Sequence, residues 1–217
     1  MNIQLALDLL DEQEALAIVE EIGSFVDIIE VGTSLLKRSG SAIVPKIRAI
    51  LPDKPIFLDM KIIDGPQREA TLVAISQVEA TSMLAVATDT AVKKVLQVAR
   101  EKNFNVFFDL QSVADPVARA IELKNLGAAS FCIHKNQDTG ERIIDGFQEF
   151  LAIREATGCK LAIAGGINLS TIQLIRNELQ PDVVIIGGAL LNSQQRLADA
   201  KQFFEQCHLT EPTWRSE

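Results

Sequence analysis

The feature that most constrains this chain is a recurrence. Short runs rich in Val, Ile, Leu and Phe return eight times, at Ile3 to Leu7, Val26 to Val31, Pro55 to Met60, Ser82 to Ala87, Asn105 to Leu110, Ala129 to His134, Lys160 to Ala164 and Asp182 to Ile186. Their starts lie roughly 22 to 31 residues apart, and the segments between them carry helical periodicity, as in Leu16, Val19 and Ile22 or Val92, Val95, Leu96 and Ala99. Strand then helix at this period is the βα unit, and nearly unbroken apolar strands are those of a parallel sheet covered on both faces. Eight units in 217 residues predict a small TIM barrel, (β/α)8. A doubly wound open sheet is the alternative; no GxGxxG follows the first run, where LALDLLDE stands instead. No linker or low-complexity tract divides the chain. One barrel domain is expected over residues 1–207, with residues 208–217 as a tail that holds the only Trp, Trp214.

Charge narrows the partners. With 21 Lys+Arg against 29 Asp+Glu the net charge is −8, and no basic run relieves it. Such a surface repels nucleic acid and anionic membranes. Cys132, Cys159 and Cys207 form no CxxC pair, which points to a reducing, cytoplasmic setting and away from a zinc ribbon. The opening MNIQLALDLLDEQE has no basic segment of a signal peptide, and no apolar run approaches the length of a membrane span.

Chemistry in a (β/α)8 barrel sits at the carboxyl ends of the strands. Reading one cluster per strand gives Asp8, Glu30, Asp59 with Lys61, Thr88 with Asp89, Asp109, His134, Gly165-Gly166 and Gly187-Gly188. Some have a plain structural alternative: Asp8, Asp89 and Asp109 could cap the following helices, as Asp11 and Asp115 are expected to do. Glu30 interrupts an apolar strand where the barrel mouth would lie, so it needs a cation or a metal beside it. Asp59 and Lys61, two apart, share a strand face, with Asp64 further into the loop. A lysine held among carboxylates stays charged. His134 is a candidate general acid/base or proton shuttle. The glycine pairs after the seventh and eighth runs occupy the common phosphate position of these barrels.

These residues resemble the orotidine monophosphate decarboxylase suprafamily, whose signature Asp-x-Lys-x-x-Asp reads here Asp59-Met-Lys61-Ile-Ile-Asp64. The resemblance spans nearly the whole chain and is strongest to the 3-hexulose-6-phosphate synthase and 3-keto-L-gulonate-6-phosphate decarboxylase branches. It implies a homodimer in which Asp64 reaches the neighbouring site, and Mg²⁺ held by Glu30 and Asp59. It further implies that Lys61 stabilises an enediolate, that Asp8 contacts a substrate hydroxyl, and that a phosphosugar's phosphate lies on Gly165, Gly166, Gly187 and Gly188. Asp109 is counted with the substrate-binding residues. Gly187-Gly188-Ala189, and a loop Lys135-Asn136-Gln137-Asp138 without the second Arg of decarboxylases, favour the synthase: condensation of ribulose 5-phosphate with formaldehyde. The decarboxylase, and a non-catalytic phosphosugar-binding barrel, remain as alternatives. The chain departs from the branch pattern at Gly65-Pro66, at Ala85 and in the loop after His134.

Overall fold

The structure is a computed structural model that describes residues 1–135, 140 and 142–208. Eight strands, β1 (Asn2–Leu7), β2 (Ile28–Val31), β3 (Ile56–Ile62), β4 (Ala80–Leu84), β5 (Asn105–Asp109), β6 (Ser130–His134), β7 (Lys160–Ala164) and β8 (Val183–Ile186), pair in parallel in sequence order. β8 closes on β1, so the sheet is the expected closed barrel. The helices are α1 (Glu12–Ile22), α2 (Thr33–Ser39), α3 (Val44–Ile50), α4 (Pro66–Ile75), α5 (Asp89–Lys102), α6 (Pro116–Asn125), α7 (Phe147–Thr157), α8 (Ile172–Glu178), α9 (Gly188–Leu191) and α10 (Arg196–His208).

Side-chain alternation along the strands separates two layers. Ile3, Leu5 and Leu7 of β1 point outward into the core between sheet and helices, which also holds Phe108, Phe131, Phe150 and Phe203. The inward face is a smaller cluster of Cys132, Ala162, Ala164 and Val183 packed with Ile28, Phe107 and Ile185. Above them the inner face turns polar, with Gln4, Glu30, Asp59, Ser82 and Asp109 all buried. Small residues and an edge-to-face Phe57–Phe107 pair, centroids 5.7 Å apart, fill the barrel below that polar layer.

Helix starts follow the sequence. Asp11 caps α1 by accepting from the N–H groups of Gln13 and Glu14, and Asp115 caps α6 by accepting from Ala118, with Pro116 at the first helical position. The expected cap at Asp89 is corrected: Thr88 caps α5, accepting from Ala91, and Asp89 is the first helical residue, paired with Arg119 at 2.8 Å. The fourth strand also begins and ends earlier than its apolar run, at Ala80 and Leu84 rather than Ser82 and Ala87. Ala85 and Ala87, in the following loop, are buried in the main core, and Arg119 donates to both of their carbonyls, at 2.8 Å each. Pro66 falls at the first position of α4, where its missing N–H costs nothing.

The outer layer carries the fold's stability. Phe108 is fully buried there, its ring centroid 6.2 Å from that of Phe131. Phe108→Ala is expected to cost about 3–5 kcal/mol of unfolding free energy, read from urea denaturation.

Candidate active site

The strands deliver their carboxyl ends into one cavity of about 500 Å³. Asp8, Glu30, Asp59, Lys61, Asp109, His134, Gly165, Gly166, Gly187 and Gly188 all line it, so ten of the residues singled out in the sequence converge. Asp64 does not: it is exposed, outside the cavity of its own barrel. Asn136, Gln137 and Asp138 lie outside the described residues.

Lys61 is the hub. Its Nζ lies 3.0 Å from Asp59 Oδ1, 2.9 Å from Asp59 Oδ2 and 3.2 Å from Asp109 Oδ2. Burial alone would lower the lysine pKa, but the charges of Asp59 and Asp109 overcome it and raise the pKa above its ordinary value. Asp109 Oδ2 also meets His134 Nδ1 at 3.1 Å, and its Oδ1 accepts from Gln111 N–H at 2.9 Å. Burial pushes the Asp109 carboxyl up; the hydrogen bond and charge of His134, with the charge of Lys61, bring it below its ordinary value. With Asp109 ionised, Nδ1 of His134 is the donor and Nε2 is left as the exchangeable ring position. Neither Asp8 nor Asp109 caps the helix that follows it, where Asp11 and Asp115 do so; Asp8 instead accepts from the Ser34 N–H in the first turn of α2.

Three residues that sequence reasoning passed over complete the array. Gln4 Nε2 donates to Glu30 Oε2 at 2.6 Å. Thr33 Oγ1 lies 2.6 Å from Asp59 Oδ2 and 2.9 Å from the Asp59 carbonyl oxygen, its one proton serving either. Ser82 Oγ contacts Asp59 Oδ1 at 2.6 Å and accepts from Lys61 N–H at 2.8 Å. The one sequence signal was alternation: Gln4 shares the inward face of Ala6 and Asp8.

Glu30 has a different environment. Burial, then the charge of Asp59, raises its pKa to about 8, against the pull of its bond to Gln4. Asp8, open to the cavity, is also raised, by partial withdrawal from water and by Asp59. Carboxylates that interact this strongly, with Lys61 already engaged by Asp59 and Asp109 and Lys135 by Glu149, leave an unmet demand for positive charge. Oxygen-only donors suit a hard divalent cation, so Glu30 and Asp59 fit such an ion chemically. Among the described residues no three His, Cys, Asp or Glu side chains gather as a metal cage, so water or substrate oxygens would complete the coordination.

The glycines at the rim have distinct reasons to be glycine. Gly165 has φ +105°, and a Cβ there would lie 1.8 Å from the carbonyl oxygen of Lys135; Gly166 follows at φ +65°. Gly187 and Gly188 lead into α9, and no such collision forces them. Lys135, also at the rim, pairs with Glu149 at 2.8 Å. Burial, then the charge of Asp109, pushes the Cys132 thiol well above its ordinary pKa, so it serves as packing at the cavity floor and not as a nucleophile.

A closed parallel barrel with its charged array gathered at the strands' carboxyl ends has its site where barrels of this class carry chemistry. The chain belongs to the orotidine 5′-phosphate decarboxylase / HUMPS family, whose model matches residues 1–203. The resemblance carried by Asp59, Lys61 and Asp64 is thus borne out at the level of the family. A 3-hexulose-6-phosphate synthase of Mycobacterium gastri is 30% identical over 204 residues, covering 93% of this chain and 97% of that protein. The solved 3-hexulose-6-phosphate synthase of Salmonella typhimurium is 31% identical with TM-score 0.90, over 95% of this chain and 98% of that one. The solved 3-keto-L-gulonate-6-phosphate decarboxylase of Vibrio cholerae is 25% identical with TM-score 0.83, over 95% and 96%. No helix among the described residues is long and apolar enough to cross a membrane.

The raised Glu30 pKa makes a signed prediction for the metal-free protein. Folding holds this proton more tightly than the unfolded chain does, so the stabilisation is full below about 4.5 and is lost as pH rises through about 8. In chelator, wild-type stability is expected to fall between pH 5 and 9 by a few kcal/mol more than that of Glu30→Gln, measured by urea unfolding at each pH.

Proposed function

We propose that this barrel is a 3-hexulose-6-phosphate synthase, a lyase-class aldolase that condenses ribulose 5-phosphate with formaldehyde. The observation that carries the reading is the Asp59–Lys61–Asp109–His134 array, which sets a permanent cation and a proton-transfer group on one cavity wall beside the carboxylate of Glu30. The named synthases that match over nearly the whole chain support the same choice.

The residues divide the work as follows. The phosphate end of the sugar lies against the backbone at Gly165, Gly166, Gly187 and Gly188, so binding an anion does not require a net positive protein. Asp8 accepts a hydrogen bond from a sugar hydroxyl. His134 removes a proton from C1 through Nε2 while Asp109 holds Nδ1 and the imidazolium charge. Lys61 donates to the enediolate oxygen as negative charge develops, the preorganised electrostatic effect that usually dominates. C1 then bonds to the formaldehyde carbon, and the proton taken by His134 goes to the former formaldehyde oxygen, giving the hexulose 6-phosphate. Glu30 and Asp59 are the residues that would hold Mg²⁺, which would supply positive charge to offset the charge that develops on the enediolate.

A homodimer in a cytoplasmic setting completes the reading. Ile63 beside exposed Asp64, Leu72 and Ile75 one turn apart on α4, and Val86 after β4 expose 46%, 52%, 71% and 46% of their surface, apolar area suited to a second copy that would bring Asp64 into the neighbouring site.

Two measurements test these readings. Ribulose 5-phosphate and formaldehyde should disappear together, with chelator abolishing the reaction and Lys61→Ala lowering it at least about 100-fold while the circular-dichroism spectrum shows the barrel still folded. Untouched formaldehyde overturns the synthase; carbon dioxide released from 3-keto-L-gulonate 6-phosphate would replace it with the decarboxylase. For the dimer, mixing inactive Lys61→Ala and Asp64→Ala subunits in equal amounts should restore about a quarter of wild-type activity, because one site in each hybrid is intact. No recovery after subunit exchange contradicts the shared site.

A further inference from the structure

Strand β3 does not run beside β4 residue for residue. Leu58 stands opposite Thr81 and Ile62 opposite Met83, so four steps along β3 are matched by two along β4. Ser82 is the one β4 residue facing the bulged segment Asp59, Met60 and Lys61. Within the bulge Lys61 has φ +46°, the left-handed region that a lysine seldom enters. Such a backbone persists only where its surroundings hold it.

The backbone contact at this point runs through a single hydroxyl. The Lys61 N–H, displaced from the regular ladder, donates to Ser82 Oγ at 2.8 Å. The Ser82 hydroxyl in turn donates to Asp59 Oδ1 at 2.6 Å. A serine hydroxyl has one proton and two lone pairs, so the polarity is fixed: it accepts from the lysine backbone and gives its proton to the aspartate. Ser82 is 4% exposed, which leaves little room for water to substitute. Neighbouring Thr81 behaves differently, donating only to the backbone carbonyl of Leu58 at 2.8 Å.

We propose that Ser82 is a positioning residue: its hydroxyl pins the left-handed Lys61 backbone and the Asp59 carboxylate together, which sets Lys61 Nζ between Asp59 and Asp109. Its hydroxyl, though at the cavity wall, is spent on Lys61 N–H and Asp59 Oδ1 and so acts through those two residues. The catalytic consequence rests on the function proposed above; the pin itself does not.

The test uses the full chain with Ser82→Ala, Ser82→Cys and Ser82→Thr. The thiol keeps nearly the same volume but is a weak donor and acceptor, and threonine keeps the hydroxyl. Amide hydrogen exchange at Lys61, followed by NMR, is expected to be slow in wild type and Ser82→Thr. In Ser82→Ala and Ser82→Cys it should be at least about 10-fold faster, without a matching change at Leu58. In the condensation of ribulose 5-phosphate with formaldehyde, kcat should fall about 10- to 100-fold in the Ala and Cys variants with KM within about threefold of wild type, and recover in Ser82→Thr. Unchanged Lys61 protection in both Ala and Cys variants overturns the pin. Wild-type kcat in those variants, a rise in KM alone, or no rescue by threonine overturns the positioning role. An inactive wild-type protein would instead defeat the proposed function, while Lys61 exchange would still decide whether the pin exists. Should Ser82→Ala fail to fold, the Cys and Thr pair carries the same comparison.

Discussion

The structure depends on one unusual arrangement: a lysine ammonium held between two buried carboxylates at the mouth of a closed barrel. Lys61 stays charged there because Asp59 and Asp109 outweigh its loss of hydration. Asp109 stays ionised because His134 and Lys61 share its oxygen. Each group justifies the burial of the next, and removing any one would strand a charge in a poorly hydrated cavity. The barrel makes this affordable by supplying the partners from β3, β5 and β6 at fixed spacing, with β4 contributing the serine beneath them.

Much of the fold was legible because the two layers write different patterns. Outward residues such as Ile3, Leu5 and Leu7 are uniformly apolar, and eight such runs at a steady period admit few closures other than a barrel. The fourth strand was misplaced for a physical reason. Ala85 and Ala87 read as strand because they are apolar and packed in the core, yet their carbonyls are taken by Arg119 of α6, 34 and 32 residues away along the chain. A contact that distant leaves no local trace.

The site divides the same way. Glu30, Asp59, Lys61, Asp109 and His134 stood out because charge at a strand end is costly without a purpose. Gln4, Thr33 and Ser82 did not, since a single hydroxyl or amide in a strand or at a helix start is commonplace until its partner is known. Simple alternation placed Asp59 and Lys61 on one face, and both do line the cavity. The route is less regular than alternation assumes, because the strand bulges between them and Lys61 takes a left-handed backbone. The net charge of −8 also acquires a local meaning. Asp8, Glu30, Asp59 and Asp109 line one cavity, where Lys61 and the demand for a divalent cation answer them.

The central claim is that this array stabilises an enediolate, and it can be tested before any second substrate is supplied. Ribulose 5-phosphate is incubated with the protein in D₂O, without formaldehyde, and its C1 protons are followed by NMR. The account predicts that one C1 proton is replaced by deuterium in the presence of Mg²⁺ and that exchange stops in chelator. Ribulose 5-phosphate that binds but keeps both C1 protons with Mg²⁺ present would contradict it.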